Sequence, residues 1–391
     1  MILDAHPIQD GRIERHIKFT VEDCPVVRLN LTRNQDNHLM EFSEWGERGL
    51  FYNINSHTRI AGGPLLGKIL RVINYTQVSR DLVSFLESAG IRADKDSIIH
   101  VHDSNLLIYA LSIKKNFIPH SKIVYDRHEI WENWDNASGI IVRVNEVVFN
   151  FMIDGVVTVL DSHVNKCRKM FKSNDIVSVP NYSMFSDYDS KAIQSKIDDI
   201  TNNSPLLFSY VGSLFQNIDR DIKLLLELCE MALDLDESVT VKIGGFTDDQ
   251  NIICEFSRLR EKFDCRFQYL GRIPRKEVVK ICEESHVGFL LLLENGRNWG
   301  KVSPNKLYEY LMTGTIPVVR AHLEDSEEFS CYSLLFGRND SKEHIIQSFL
   351  ELITDRNQMK QMMMQGLSNR SKFSFENVGK RYSELYKELL K

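Results

Sequence analysis

Short apolar runs alternate along this chain with longer stretches in which apolar residues recur every three or four positions. The short runs have the length of buried strands, and the longer ones have the period of amphipathic helices. That alternation predicts an α/β protein built on parallel sheets. Strands are expected at 1–5, 26–31, 50–54, 97–102, 122–125, 155–160 and 176–179, then at 206–211, 239–243, 266–270, 287–293, 316–319 and 334–336. Helices are expected at 12–18, 164–172, 220–235, 275–284 and 341–365, and from Ser303-Pro304 to Gly314. Phe375, Val378, Tyr382, Leu385, Tyr386 and Leu389 fall at helical spacing, so a terminal amphipathic helix needs a partner surface. Residues 182–204 are rich in Ser, Asp and Asn and mark a boundary. The expected organisation is a domain over 1–182, a linker over 183–204, a second domain over 205–372 and a terminal helix over 373–391.

A length of 391 residues accommodates two ordinary domains, each with its own core. Hydrophobic content of 43% and charged content of 26% are those of a globular protein. A net charge of −6 carries no nucleic-acid signature. The seven cysteines are scattered without metal-ligand spacing, and reduced thiols in a cytoplasmic protein account for them. The first residues lack a charged segment followed by an apolar core, so no signal peptide is expected. The most apolar long stretch, 140–160, is interrupted by Arg143, Asn145, Glu146, Asn150 and Asp154, which are costly in lipid, so it is not read as a membrane span.

Candidate chemistry gathers where strands end. After the strand at 287–293, Ser303 reads as an N-cap and Pro304 suits a first helical turn. Lys306 and Glu309, three apart, share a helix face. A helix start offers N–H groups and a positive dipole end to an anion, and a carboxylate a turn further on can accept from a diol. The strand at 206–211 runs into Gly212-Ser213, with Arg220 read as part of the following helix's first turn. Arg220 there opposes the helix dipole unless it meets an anion or the adjacent Asp221. Asp10-Gly11-Arg12 follows the first strand, His102-Asp103 ends another, and Asp126-Arg127-His128-Glu129 ends a third. Asp103 or Ser104 can equally cap the next helix, and Glu129 can equally make a local cap or salt bridge. Gly62-Gly63 reads as a connection, its spacing matching no phosphate loop. Lys166, Arg168, Lys169 and Lys172 lie beside Met170 and Phe171, a pattern of either a solvated face or a contact with anionic lipid headgroups.

Pro304-Asn305-Lys306, Glu309-Tyr310, Gly314 and Pro317-Val318-Val319 together resemble the donor-binding signature of the family-4 retaining glycosyltransferases. The resemblance implies the GT-B architecture: two Rossmann-like parallel-sheet domains facing a cleft, with the C-terminal helix crossing back to the first. It implies a nucleotide diphosphate sugar donor, UDP- or GDP-linked, and transfer with retention to a glycan, lipid-linked or other hydroxyl acceptor in glycan or cell-surface polysaccharide synthesis. Catalytic roles fall on His128, Arg220, Lys306 and Glu309. In the family the Glu at the place of Glu309 binds the ribose, the His at the place of His128 contacts sugar and diphosphate, and a basic residue near Arg220 grips the diphosphate. Donor contacts extend to Gly212, Ser213, Gly244, Arg272, Ile273, Ser303, Pro304, Asn305 and Leu307. The first domain would contribute Asp10, Gly11, Arg12, His102, Asp103 and Glu129, with Arg12 facing the donor phosphates. Many members carry Glu at the place of Lys301, and often Arg at the place of Ser213.

No cofactor and no metal are expected, since Arg220, Lys306 and the helix start would take the counter-ion role. Asp187-Tyr188-Asp189 and Asp234-Leu235-Asp236 spell a metal-binding pattern but read as solvent-facing. The expected location is cytoplasmic, with a peripheral contact at the inner membrane face as an extension, and nucleic acid is not an expected partner. An epimerase or hydrolase of the same architecture, or a non-enzymatic binding homologue, stands as the alternative.

Overall fold

The computed structural model describes the chain except for residues 7–9, 32–38, 42–48, 54–78, 81, 85, 89–95, 129–136, 174, 201–203, 216–218, 294–301 and 325. Glu129, Lys301 and Gly62-Gly63 therefore lie outside the described residues. The chain divides into two units, Met1–Pro180 with Val378–Lys391, and Asn181–Asn377.

The first unit holds strands β1 (Ile2–Asp4), β2 (Val26–Asn30), β3 (Leu39–Glu41), β4 (Gly49–Asn53), β5 (Ile98–His102), β6 (Lys122–Arg127), β7 (Gly155–Thr158) and β8 (Asp175–Ser178). They form one sheet in the order β3-β4-β2-β1-β5-β6-β7-β8, parallel except where β3 meets β4. The second unit holds β9 (Leu206–Val211), β10 (Val239–Gly244), β11 (Phe267–Gly271), β12 (Val287–Leu291), β13 (Ile316–Arg320) and β14 (Leu334–Phe336), all paired in parallel in the order β11-β10-β9-β12-β13-β14. Strand order reverses between β1 and β5 in one sheet and between β9 and β12 in the other. Such a switch opens a crevice at the carboxyl ends of the strands, where α/β sheets bind ligands.

The helices that matter for the site are α1 (Gly11–Val21), α2 (Leu107–Asn116), α3 (Ala137–Phe149), α4 (Asp161–Met170), α5 (Ser190–Asp198), α6 (Ile222–Leu235), α7 (Gln250–Phe263), α8 (Arg275–Glu284), α9 (Asn305–Met312) and, at the C-terminus, α10 (Lys380–Leu389). The last belongs to the first unit and packs on α1 and β8. A Cβ on Gly379 would lie 2.8 Å from the Phe19 ring, so only glycine lets α10 begin this close to α1.

Segment 183–204, read as a linker from its polarity, is an integral part of the second unit. Asp189 caps α5 by accepting from Lys191 and Ala192 N–H. Ile193 and Ile197 are fully buried in that unit's core, and the Lys196 ammonium donates to the carbonyls of Ser285 and Thr313. Composition alone misses a helix whose apolar face is only two residues wide. Among the described residues no helix is long and apolar enough to cross a membrane.

Candidate active site

In the second unit the site grows from the β9 end. Gly212 N–H donates to Gly244 O, and Gly245 N–H to Gly271 O, which staples the ends of β9, β10 and β11 together. A Cβ on Gly245 would stand 2.0 Å from Gly212 O, and one on Gly212 would stand 2.2 Å from Lys306 Nζ. The approach at Gly245 is against backbone and requires glycine, whereas the one at Gly212 is against the movable end of the Lys306 side chain. Across the switch point, Asp221 N–H donates to Leu291 O at 3.0 Å and Leu293 N–H to Asp219 O at 3.1 Å. Those bonds pin Arg220 beside the end of β12.

Two cations thus converge on the Gly212 turn. Lys306 lies over the Tyr210 ring, 5.2 Å from its centre. Its pKa is pushed down to about 8, by burial first and by the charge of Arg220 second. Arg220 pairs with Asp219 at 3.3 Å, while its buried Nε has no hydrogen-bond partner among the described residues. The arrangement differs from the expected one in two respects. Arg220 precedes the helix rather than opening it, because Asp221 is the N-cap and accepts from Leu224 N–H. Asp221 is also not the partner of Arg220, because its other oxygen takes Arg320 at 3.0 Å.

Helix α9 begins at Asn305 with Pro304 in the cap position and no side chain capping it. Ser303, expected as the cap, instead accepts from Asn181 N–H at 3.3 Å and lies 3.3 Å from the Tyr308 hydroxyl. Asn181 also donates to Ser303 O, so the turn before the helix is held by Asn181. Leu307 is wholly buried in the core, which leaves only its backbone to a ligand, and its N–H already donates to Pro304 O. Glu309 is buried and its carboxylate accepts from Arg275, the first residue of α8. Arg275 was not singled out from the sequence, since nothing local links positions 275 and 309. Arg272 is exposed and covers the Phe246 ring at 4.5 Å, while Ile273 packs on Gly244. Ser213 is exposed, and its carbonyl accepts from the Tyr210 hydroxyl.

In the first unit three periodicities meet at the switch between β1 and β5. His100 and His102 are two apart on a strand and face the same way. Arg12 and His16 are four apart on α1, as are Tyr382 and Tyr386 on α10. Arg12 forks onto both oxygens of fully buried Asp126 at 2.9–3.2 Å and donates to Val179 O. His100 and His102 each lie 3.5 Å from the same carboxylate, and the Tyr382 hydroxyl donates to it at 3.2 Å. His16 bridges His102 at 3.1 Å and the Tyr386 hydroxyl at 2.7 Å, and Tyr386 reaches His100 at 2.7 Å. Burial would raise the Asp126 pKa, but Arg12 and the neighbouring histidines hold it well below the carboxylate range. Burial drives His16, His100 and His102 below the ordinary histidine value.

Arg12 and His102 were expected to face a ligand, and the structure corrects both. A buried guanidinium needs a charged partner, and Asp126 claims it, while His102 is fully buried beneath. Asp10 is equally engaged, as the N-cap of α1, accepting from Arg12 and Ile13 N–H, and Gly11 is the first helical residue rather than a turn.

Above this network lies a second, partly open group. Asp103 follows β5 with φ of +83°, a conformation L side chains rarely adopt, and its side chain caps nothing. Such backbone strain concentrates at functional sites. Its carboxylate meets His6 Nε2 at 3.1 Å and His128 Nε2 at 3.6 Å, while His128 Nδ1 lies 3.8 Å from Asp126. Burial opposes protonation of His6, yet the hydrogen bond and charge of Asp103, with Asp10 and Asp4 behind, raise its pKa to about 9. The same pairing keeps Asp103 ionised below its usual range despite burial. His6 was missed by the sequence reading, since it stands two residues past β1 with no motif around it.

Of the two acidic spellings considered for metal, Asp189 is the α5 cap, Asp234 pairs with Lys262 and Asp236 with Arg356. Among the described residues, His6, Asp103 and His128 bring three ligand-type atoms together, as do two sets around Asp126 and His102. Of those two, the set of His102, Asp126 and His128 is already engaged by Arg12 and Tyr382 through Asp126, and the set of His16, His100 and His102 by Tyr386.

Two Rossmann-like units, with the last helix returned to the first, define the GT-B architecture. No protein-family model matches the sequence, and no curated protein does. Solved structures match over the whole length. The UDP-forming α,α-trehalose-phosphate synthase of Burkholderia xenovorans aligns with 12% identity, 100% of this chain and 99% of that one, at a TM-score of 0.69. Sucrose-phosphate synthase of Thermosynechococcus elongatus aligns with 12% identity over 99% and 98%, at 0.69. Anabaena HepE, solved with UDP, aligns with 12% identity over 99% of each chain, at 0.65. At such identity the likeness is one of fold.

Proposed function

We propose that this protein is a retaining glycosyltransferase that takes its sugar from a nucleotide diphosphate donor. The observation that carries the reading is the pair of cations, Arg220 and Lys306, gathered at a glycine turn on a switch point, where the nearby carboxylates are Glu309, already held by Arg275, and Asp219. The charge of Arg220 lowers the protonation of Lys306, so an arriving anion stabilises the pair, and a diphosphate is such an anion. Uridine is favoured over guanosine, because the structures of like fold include one with UDP and one with UDP-2-fluoro glucose.

In this reading the C1–O bond to the diphosphate breaks while the acceptor oxygen bonds C1 on the same face. The acceptor proton passes to a diphosphate oxygen. Arg220, Lys306 and the uncapped start of α9 stabilise the negative charge on the leaving group. Glu309, oriented by Arg275, takes the ribose hydroxyls, and His128, oriented by Asp103, is assigned to the transferred sugar. The acceptor is a hydroxyl compound, with sugar phosphates and lipid-linked glycans as the classes to screen. The pairing of Glu309 with Arg275 favours one second reading, a homologue that binds nucleotide without transfer.

Calorimetry with UDP and GDP on the full chain tests donor binding, and UDP release on adding acceptors tests transfer. Binding that weakens as pH rises past about 8, where Lys306 loses its proton, is the expected result. Absence of any diphosphate binding overturns the proposal, and binding with no turnover of any UDP-sugar selects the second reading.

A further inference from the structure

Helix α3 carries an apolar stripe that, among the described residues, has no partner over it. Ile140, Ile141, Val144, Val147 and Val148, continued by Phe151 in the next turn, are each at least half exposed, from 51% at Ile141 to 77% at Val147. Their spacing keeps all six on one side of the helix. The opposite side is anchored: Val142 is buried, and buried Glu146 accepts from Arg127 at 2.6 Å and from the Tyr125 hydroxyl. The stripe is therefore held outward by a fixed inner face. Contiguous apolar surface of this extent is uncommon on a monomer without a partner.

The end of the stripe adjoins a basic cluster. Asn150 donates to Met170 O at 2.7 Å and accepts from Lys172 N–H at 3.0 Å, which ties the turn bearing Phe151 to the C-terminal end of α4. Lys166, Arg168, Lys169 and Lys172 are exposed there, and Arg143 is exposed on α3 itself. Within 137–172 the acidic groups are Glu146, buried against Arg127, Asp154, bridged to Lys114 and Lys122, and Asp161, at the far end of α4. The local charge is thus positive on a chain whose net charge is −6.

We propose that this face docks on an anionic lipid bilayer, with the α3 stripe entering the acyl boundary and the α4 lysines at the headgroups. Apolar side chains rimmed by basic ones match the two layers of such a surface. A second copy of the chain fits less well. A two-fold contact sets the same patch against itself, which would face one basic cluster with another. The inference is independent of the donor reading, since none of these residues belongs to the nucleotide site.

The test uses the full chain with vesicles of phosphatidylcholine and phosphatidylglycerol, and with vesicles of phosphatidylcholine alone, by co-sedimentation. Binding to the anionic vesicles that weakens with salt is expected. Val147→Asp with Phe151→Asp should reduce it at least tenfold. Lys169→Glu with Lys172→Glu, on side chains that support no core, should do the same while leaving UDP affinity unchanged. No binding to anionic vesicles overturns the proposal, as does binding indifferent to both variants. A concentration-dependent dimer abolished by Phe151→Asp assigns the face to a second copy and overturns it equally.

Discussion

The two units present polar groups at equivalent places, the carboxyl ends of strands flanking a switch point, and treat them in opposite ways. In the first unit Arg12, Asp126, His16, His100, His102, Tyr382 and Tyr386 are joined to one another in a buried network. In the second, Arg220 and Lys306 repel each other beside a turn where Glu309, shared with Arg275, and Asp219 are the carboxylates that offset them. Charges closed internally hold a fold, whereas cations in excess favour an arriving anion. Among the described residues of the first unit, Asp103, His6 and His128 share the open character.

Four measurements would break or sharpen this contrast. Asp126→Asn removes the partner of a buried guanidinium and should cost about 3–5 kcal/mol in denaturant unfolding. A loss within error would mean the network is not closed. Lys306→Met should weaken UDP binding by roughly 1.5–3 kcal/mol by calorimetry, the range for a charged hydrogen bond, with little change in melting temperature. Unaltered affinity would remove the second unit's distinction.

Next comes pH. His16, His100 and His102 are neutral when folded and below the ordinary value of 6.5, so the unfolded chain binds more protons and stability falls as pH drops below 6.5. His6, raised to about 9, contributes stability that is complete below 6.5 and lost as pH rises toward 9. The stability difference between the wild type and His6→Ala should therefore shrink from pH 6.5 to 9, on the order of 1–2 kcal/mol. This alkaline limb is read by difference because Lys306, held down to about 8, adds stability as pH rises. An alkaline limb unchanged in that variant would detach His6 from Asp103. Smallest is Ser303→Ala, expected below about 0.5 kcal/mol, because Ser303 does not cap α9. A full cap-sized loss would restore it to that position.

Much of the fold was legible from period alone. The strand at 206–211 and the helix at 275–284 were read with their observed bounds, since buried runs and 3.6-residue periodicity are local signals. The Lys306–Glu309 face was legible for the same reason. What escaped was the choice of partner. Asp221 was one of two partners left open for Arg220, yet Asp221 has a capping task and a distant arginine to hold. Tyr382 and Tyr386 were read as packing positions, and their hydroxyls instead complete a histidine network made by residues far away in the chain. Periodicity says which side of a helix faces inward, and says nothing of the polar atoms waiting there.

The returned helix has a bearing on how the protein is made. Residues 378–391 are translated only after all of the second unit, yet they belong to the first. A nascent chain halted at any earlier codon leaves Asp126 without Tyr382, and His16 and His100 without the hydroxyl they share. Synthesis on the ribosome therefore finishes the later half of the gene product before the earlier half can be sealed.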